Sequence, residues 1–450
     1  MATTVEILSY TKDRYPVYSP IPIVLGPSSG TVDECKFKYV LEVQVSTDMY
    51  TGNGSPTWTT VGTLKQIPDP QGLATFDVSR ILQNYVEHIS FPDITGAIKT
   101  INTTENRGDY VWCKVRAGCE YSTVCTDTPD QYYNQDNTTL LAWNAGLQYD
   151  FPLEVYDASV VFEMRDTLVT APYLNRFLIN APSAGIPIGE NGVFALKAHN
   201  FGNSILHDIY FEWFGLGGAG GLGNLSIAAV GTLSQVGEDI INIGVGPYNL
   251  RSVSPMGLAG LSNMTHYFAW IGDDDGDRIS EKIRFNIDRG CATDNTVTLT
   301  WLNRWGGMDT FAFTKNNIRS VPIKKNLYER VFGKFLGGPG FPGDFSHSLS
   351  NSHGGDRGRT SLFVDARDKY KLTTDFVSED VAIWLEELFT SPAVYMLDGS
   401  HWYNVLGNSV AQLPMVVTST TYEEKDMSNK KLISYTIEIE SAYDKVIQKG

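Results

Sequence analysis

Residues 378–392 read SEDVAIWLEELFTSP, and their spacing predicts a helix over 379–389. Val381, Trp384, Leu385, Leu388 and Phe389 fall at i, i+3, i+4, i+7 and i+8, which places them on one apolar helical face. Glu386 and Glu387 are expected on the opposite, solvated face. Ser378 is placed as the N-cap, with Glu379 and Asp380 in the first turn, where negative charge suits the unpaired amides. Ser391-Pro392 ends the helix, because the residue before a proline avoids the helical region.

Beyond this helix the chemistry turns to strands. Residues 393–397 and 401–406 read as a hairpin around Asp398-Gly399, and 414–422 as a further strand. In 432–443, Ile433, Tyr435, Ile437 and Ile439 alternate with Ser434, Thr436 and Glu438, the period of a half-buried strand. Residues 372–443 are therefore expected to pack one short helix on an antiparallel sheet.

The same signature runs through the whole chain. Aromatic residues make up 12% and glycines number 42, a balance that favours aromatic β cores joined by tight turns. We expect a mostly β protein of two or three antiparallel sandwich or barrel domains, with a helix flanking the C-terminal one. A first domain over 1–145 carries an extended N-terminal arm, since Pro16, Pro20 and Pro22 disfavour helix. Residues 37–45 pair with 58–64, 72–78 and 110–118 add strands, and Ile81, Leu82, Tyr85, Val86 and Ile89 mark a short helix. A second β domain over 146–295 has strands at 155–164, 193–198 and 209–214, and a hairpin formed by 269–271 and 279–287. A third covers 296–450. There Trp301-Leu302-Asn303-Arg304-Trp305-Gly306-Gly307 reads as a hairpin whose glycine pair supplies positive φ angles. Residues 333–359, rich in Gly, Pro, Ser and Asn around Phe335, Phe341 and Phe345, read as a flexible loop that meets a partner.

Charge and composition exclude several functions. With 35 basic against 51 acidic residues the net charge is −16, which disfavours non-specific binding to nucleic acid or anionic membrane. No apolar run approaches the ~20 residues of a membrane span, and residues 1–18 show no secretion signal. The sequons at Asn53, Asn102, Asn137, Asn224 and Asn263 are read as compositional. Cys113, Cys119 and Cys125 lie six residues apart, with no closely spaced Cys or His pair, so the cysteines are read as buried or free thiols and no metal site is expected.

The catalytic motifs are weak. Gly215-Leu216-Gly217-Gly218-Ala219-Gly220 fits a dinucleotide loop but sits in no βαβ unit, so it reads as a flexible loop. Asp273-Asp274-Asp275-Gly276-Asp277 could offer oxygen ligands to calcium, yet an EF-hand register would begin at Ile271 and close at Lys282. A charged hairpin tip is the plainer reading. His88, His199, His207, His266, His347, His353 and His401 are scattered, and neither H-E-x-x-H nor G-x-S-x-G occurs. No catalytic residues, cofactor or small-molecule substrate are expected. The Tyr132-Tyr133 pair, expected in a loop, and the phenylalanines of 333–359 are the candidates for stacking on sugars.

The run from Trp301 to Gly307, with Arg284-Phe285-x-Ile287-x-x-x-Cys291 before it and residues 372–443 after it, resembles virion proteins of tailed phages, notably of Bacteroidetes hosts and including crAss-like phages. Phe76-Asp77-Val78-Ser79-x-Ile81-Leu82 has the same character. The resemblance carries no functional residues. It implies a structural protein of a tail or neck, assembled in many copies in the bacterial cytoplasm, its third domain built like a tail-tube protein. Partners would be further copies in a ring, other virion proteins and packaged DNA passing through an acidic lumen. The alternative is a tail-tip module that binds a receptor or glycan.

Overall fold

The structure, a computed structural model, describes residues 5–9, 14–28, 35–46, 57–87, 109–146, 177–190, 192–199, 208–215, 223–227, 240–250, 264–272, 278, 280–288, 296–330, 358–398, 411–419 and 432–444. Within them the chain is mostly β.

The N-terminal unit contains β1 (Val5–Ser9), β2 (Arg14–Pro16), β3 (Pro22–Pro27), β4 (Cys35–Ser46), β5 (Thr59–Gln66), β6 (Ala74–Asp77), helix α1 (Ser79–Leu82), β7 (Tyr110–Ser122) and β8 (Asp130–Trp143). Two sheets form, ordered β1-β3-β6 and β2-β8-β7-β4-β5. Alternation decides which face is buried: Val111, Cys113, Val115, Ala117 and Cys119 of β7 join Tyr39, Leu41 and Val43 of β4 in one core with Ile23, Leu25 and Phe76 of the smaller sheet. Tyr132-Tyr133 lies inside β8, not in a loop. Tyr132 stacks on Tyr121 at 5.0 Å, and the Arg116 guanidinium lies 4.1 Å from the Tyr133 ring centre. Cross-strand pairing continues across this segment, with Cys119 opposite Tyr132 and Gly118 opposite Tyr133.

The cysteines correct one expectation. Cys35 and Cys125 form a disulfide, while Cys113 and Cys119 are buried and take no part in a disulfide. Sequence spacing could not reveal the bridge, since 90 residues separate its ends.

The middle unit contains β9 (Ile186–Gly189), β10 (Ala195–His199), β11 (Asp208–Gly215), β12 (Gly223–Ile227), β13 (Ile240–Gly244), helix α2 (Pro247–Leu250), β14 (Met264–Gly272) and β15 (Ile283–Asp288). Its main sheet is ordered β12-β11-β14-β15-β9, with β10 and β13 paired separately. The expected hairpin forms, Ala269 pairing with Ile283. Its acidic tip at 273–277, the expected strand at 155–164 and residues 216–220 of the glycine loop lie outside the described residues.

The C-terminal unit contains β16 (Val297–Leu302), β17 (Met308–Phe313), β18 (Lys315–Ser320), β19 (Ile323–Arg330), β20 (Gly358–Ala366), β21 (Lys369–Thr373), β22 (Val377–Ser378), helix α3 (Glu379–Thr390), β23 (Val394–Asp398), β24 (Ala411–Val417), β25 (Leu432–Ile433) and β26 (Thr436–Ser441). Seven strands order as β17-β16-β23-β24-β26-β21-β18. The edge strands β17 and β18 are separated only by Thr314. One residue spans at most ~7 Å between flanking Cα atoms, so the two edges approach and the sheet curls into an open barrel. The apolar face of α3 enters this curl. Trp384 lies 5.2 Å from Trp301 and 6.3 Å from Phe311, and Phe389 lies 5.9 Å from Tyr435.

Details of this unit depart from the local sequence reading. β23 pairs with β24, Asp398 opposite Ala411, and residues 401–406 lie outside the described residues. The single strand expected over 432–443 is two: β25 pairs with β22, and β26 joins the large sheet. Ser378 is the N-cap of α3 as expected, with extended backbone, but its side chain makes no cap bond, and its backbone pairs with Leu432. Glu387 is not solvated: it is only 8% exposed, since a position three residues from Trp384 borders the apolar stripe.

One apolar cluster runs from Phe177 to Ile439, across the boundary at 295/296 drawn from sequence, and joins the middle and C-terminal sheets. The N-terminal unit keeps its own core and meets the others through Tyr110, Leu141, Trp143, Ala145, Leu178 and Trp305.

Candidate functional site: a buried polar junction

The turn Asn303–Gly307 between β16 and β17 lies where all three units meet. Each of its residues has a specific partner. The Asn303 side-chain oxygen accepts from the Trp305 amide at 3.0 Å and the Gly307 amide at 2.8 Å. Its Nδ2 donates to the Leu178 carbonyl at 3.0 Å and to Asp309 Oδ1 at 2.8 Å. Asn303 is thus fully used, two acceptances and two donations, the full capacity of its amide.

Gly306 has φ +86°, the left-handed region a tight turn needs, and an added Cβ would lie 2.4 Å from the Asn144 carbonyl oxygen. Gly307 does not take a positive φ. It is required for space, since a Cβ there would lie 2.3 Å from the Leu178 carbonyl oxygen. The glycine pair therefore serves one turn angle and two close approaches to other units.

Charges bind the same turn from both sides. Lys197 of β10, flanked by Leu196 and Ala198, donates from Nζ to Asp109 Oδ2 of the N-terminal unit at 2.7 Å and to the Gly306 carbonyl at 2.7 Å. Trp143 Nε1 donates to the Trp305 carbonyl at 3.0 Å, and the Gly146 amide donates to the Arg304 carbonyl at 2.9 Å. Arg304 Nε faces Glu387 Oε1 of α3 at 3.1 Å. Asp309, 1% exposed, accepts from Trp384 Nε1 at 2.6 Å in addition to its bond from Asn303.

Electrostatics follow from this burial. Withdrawal from water pushes the Asp309 carboxyl well above the ordinary carboxylate range, and the neighbouring Glu387 charge adds to the shift. The bonds from Trp384 and Asn303 oppose it without cancelling it. Glu387 is also raised by burial, against the pull of Arg304. Paired carboxylates of this kind can act as acid and base only where a substrate reaches them. Here both Asp309 oxygens are engaged by N–H donors inside the core, so the Asp309 carboxyl ties the turn to α3.

A second cluster lies on the face of β11, β14 and β15 opposite Phe211 and Tyr267. Tyr210 stacks on Trp270 at 5.8 Å and Phe214 on His266 at 4.6 Å. Lys282 sits 4.2 Å from the Trp270 ring centre and 2.8 Å from Glu212. Burial and the Arg284 charge hold His266 below the ordinary histidine value. The Tyr210–Trp270 stack and the lysine occupy ring faces that a sugar would need, which makes this a cross-strand ladder rather than an open stacking platform.

Among the described residues no group of His, Cys, Asp and Glu is arranged to hold a metal ion, and no helix is long and apolar enough to cross a membrane. The Asp273–Asp277 tip and the phenylalanines at 335, 341 and 345 lie outside the described residues. Of the seven histidines, only the side chain of His266 falls within them.

Sequence reasoning singled out the Trp301–Gly307 run but not its partners Lys197, Asp109, Asp309 and Glu387. A usable signal existed for two of them. Lys197 and Asp309 interrupt strands that are otherwise mostly apolar, and a charge in such a place needs a partner. No protein-family model matches the chain, and no curated protein sequence matches it.

Proposed function

We propose that the chain is a structural component of a tailed-phage virion, assembling in many copies into a tail or neck ring. The observation that carries this reading is the ribbon β19–β20. The ladder of β18 and β21 ends at Ser320 opposite Lys369, and beyond it Ile323 to Arg330 pair only with Gly358 to Ala366 among the described residues. A two-stranded ribbon is marginal in water unless something covers it, and repeated subunits provide such cover. The junction supports the same reading. Three β units tied by buried bonds can transmit load between neighbours as one body, and its charged groups are engaged in those ties.

The disulfide bears on where the particle matures. Such bonds persist in oxidising surroundings, so in a chain assembled in a bacterial cytoplasm Cys35–Cys125 would close after release. The net charge of −16 suits a lumen through which DNA passes without adhering. Electron microscopy of the purified chain provides the test: closed rings lined by acidic side chains are expected, whereas separate particles of single-chain size at high concentration would refute the proposal.

A further inference from the structure

We propose that neighbouring copies bind by seating the β19–β20 ribbon of one on the outer face of α3 of the next, an inference that rests on the ring reading above and specifies its contact. The ribbon exposes apolar side chains that a free surface would not favour: Ile323 is 59% exposed, Leu327 55% and Leu362 43%. Ile323, Lys325 and Leu327 alternate onto one side of β19. The same side is also basic on an acidic protein, with Lys325 and Arg359 against Glu329, the cross-strand partner of Arg359.

The outer face of α3 is the counterpart in both respects. The helix Glu379–Thr390 contains no Lys or Arg, and of its four acidic residues only Glu387 is buried. Glu379, Asp380 and Glu386 lie around Ile383, which is 53% exposed, and Phe376 just before the helix is equally so. Asp375 extends the acidic surface while paired with Lys315 at 3.1 Å, and Asp380 accepts from the Ser183 hydroxyl. Lengths agree as well. The eight residues of β19 span ~26 Å at 3.3 Å each, enough to cross the ~18 Å of a twelve-residue helix.

The occupant is a second copy because the two surfaces are different, complementary and carried by the same chain. Both stay exposed in one molecule, so neither satisfies the other internally. Such a contact is heterologous: each copy gives its ribbon forward and receives another behind, and rotation closes the series into a ring. Opposite charge sets the register and speeds encounter, while Leu327 and Ile383 supply buried apolar area at the centre.

Charge exchange tests this in the full chain. Lys325→Glu is expected to shift the light-scattering mass toward one copy while leaving the circular dichroism and Tm of the parent. Adding Glu379→Lys and Glu386→Lys to the same chain is expected to restore the oligomer, since ribbon and helix are again opposite. A Leu327→Cys, Ile383→Cys variant is expected to form an intermolecular cross-link absent from either single substitution. An oligomer indifferent to the lysine reversal, with no cross-link, overturns this contact and leaves the ring reading standing. A parent chain that never assembles overturns both.

Discussion

At the scale of single residues, the account rests on groups buried with their charge or polarity intact. Asp309 and Glu387 both have carboxyls raised by burial. For such groups the folded state holds the proton more tightly than the unfolded one. Their contribution to stability is complete below the ordinary carboxylate range, about 4, and is lost as pH rises through the raised folded values. Asp309→Asn cannot titrate, and any misfit of its amide toward Trp384 is independent of pH. The Tm of the variant minus that of the parent is therefore expected to grow between about pH 4 and about pH 8, as followed by thermal melts across a buffer series. A difference that is flat or shrinks would show that Asp309 is ionised throughout. Lys197 and Asp109 make a different prediction. Removing one partner strands a buried charge, so Lys197→Met should cost about 3–5 kcal/mol in denaturant unfolding. Pairing it with Asp109→Leu should recover most of that loss, because a buried ion pair can give way to apolar contact at little net cost. A double variant as unstable as the single one would mean that the bond to the Gly306 carbonyl, not the ion pair, is what matters.

Among elements, legibility followed the range of the interactions. α3 was readable because its apolar face repeats within two turns, and the β14–β15 hairpin because its strands lie close in sequence. Reading failed where a distant segment decided the outcome. Ser378 is the N-cap of α3, as its chemistry implies, but its side chain makes no cap bond, and its backbone pairs with Leu432, more than fifty residues on. The disulfide of Cys35 and Cys125 joins positions with no local relation, and the partner of Glu387 at the edge of the apolar stripe is Arg304, 83 positions earlier. The Asn303–Gly307 turn shows both sides of this. Its hairpin is local and was visible. Its role as a meeting point depends on Leu178, Lys197, Asn144 and Trp143, which only the folded chain assembles.

For the whole molecule, two kinds of surface separate. Where the units meet inside one copy, apolar packing is closed over by bonds that use every donor and acceptor of Asn303. Where the copy meets the outside, the ribbon and the α3 face leave apolar and charged side chains together in water, the pattern of surfaces that are covered on assembly. In the proposed ring, a neighbouring copy would cover this ribbon. The most direct check is the solution mass of the purified full chain. Light scattering across a concentration series is expected to give a discrete multiple of 49.8 kDa that falls toward one copy as salt is raised. A mass of 49.8 kDa at every concentration and every salt would contradict the account.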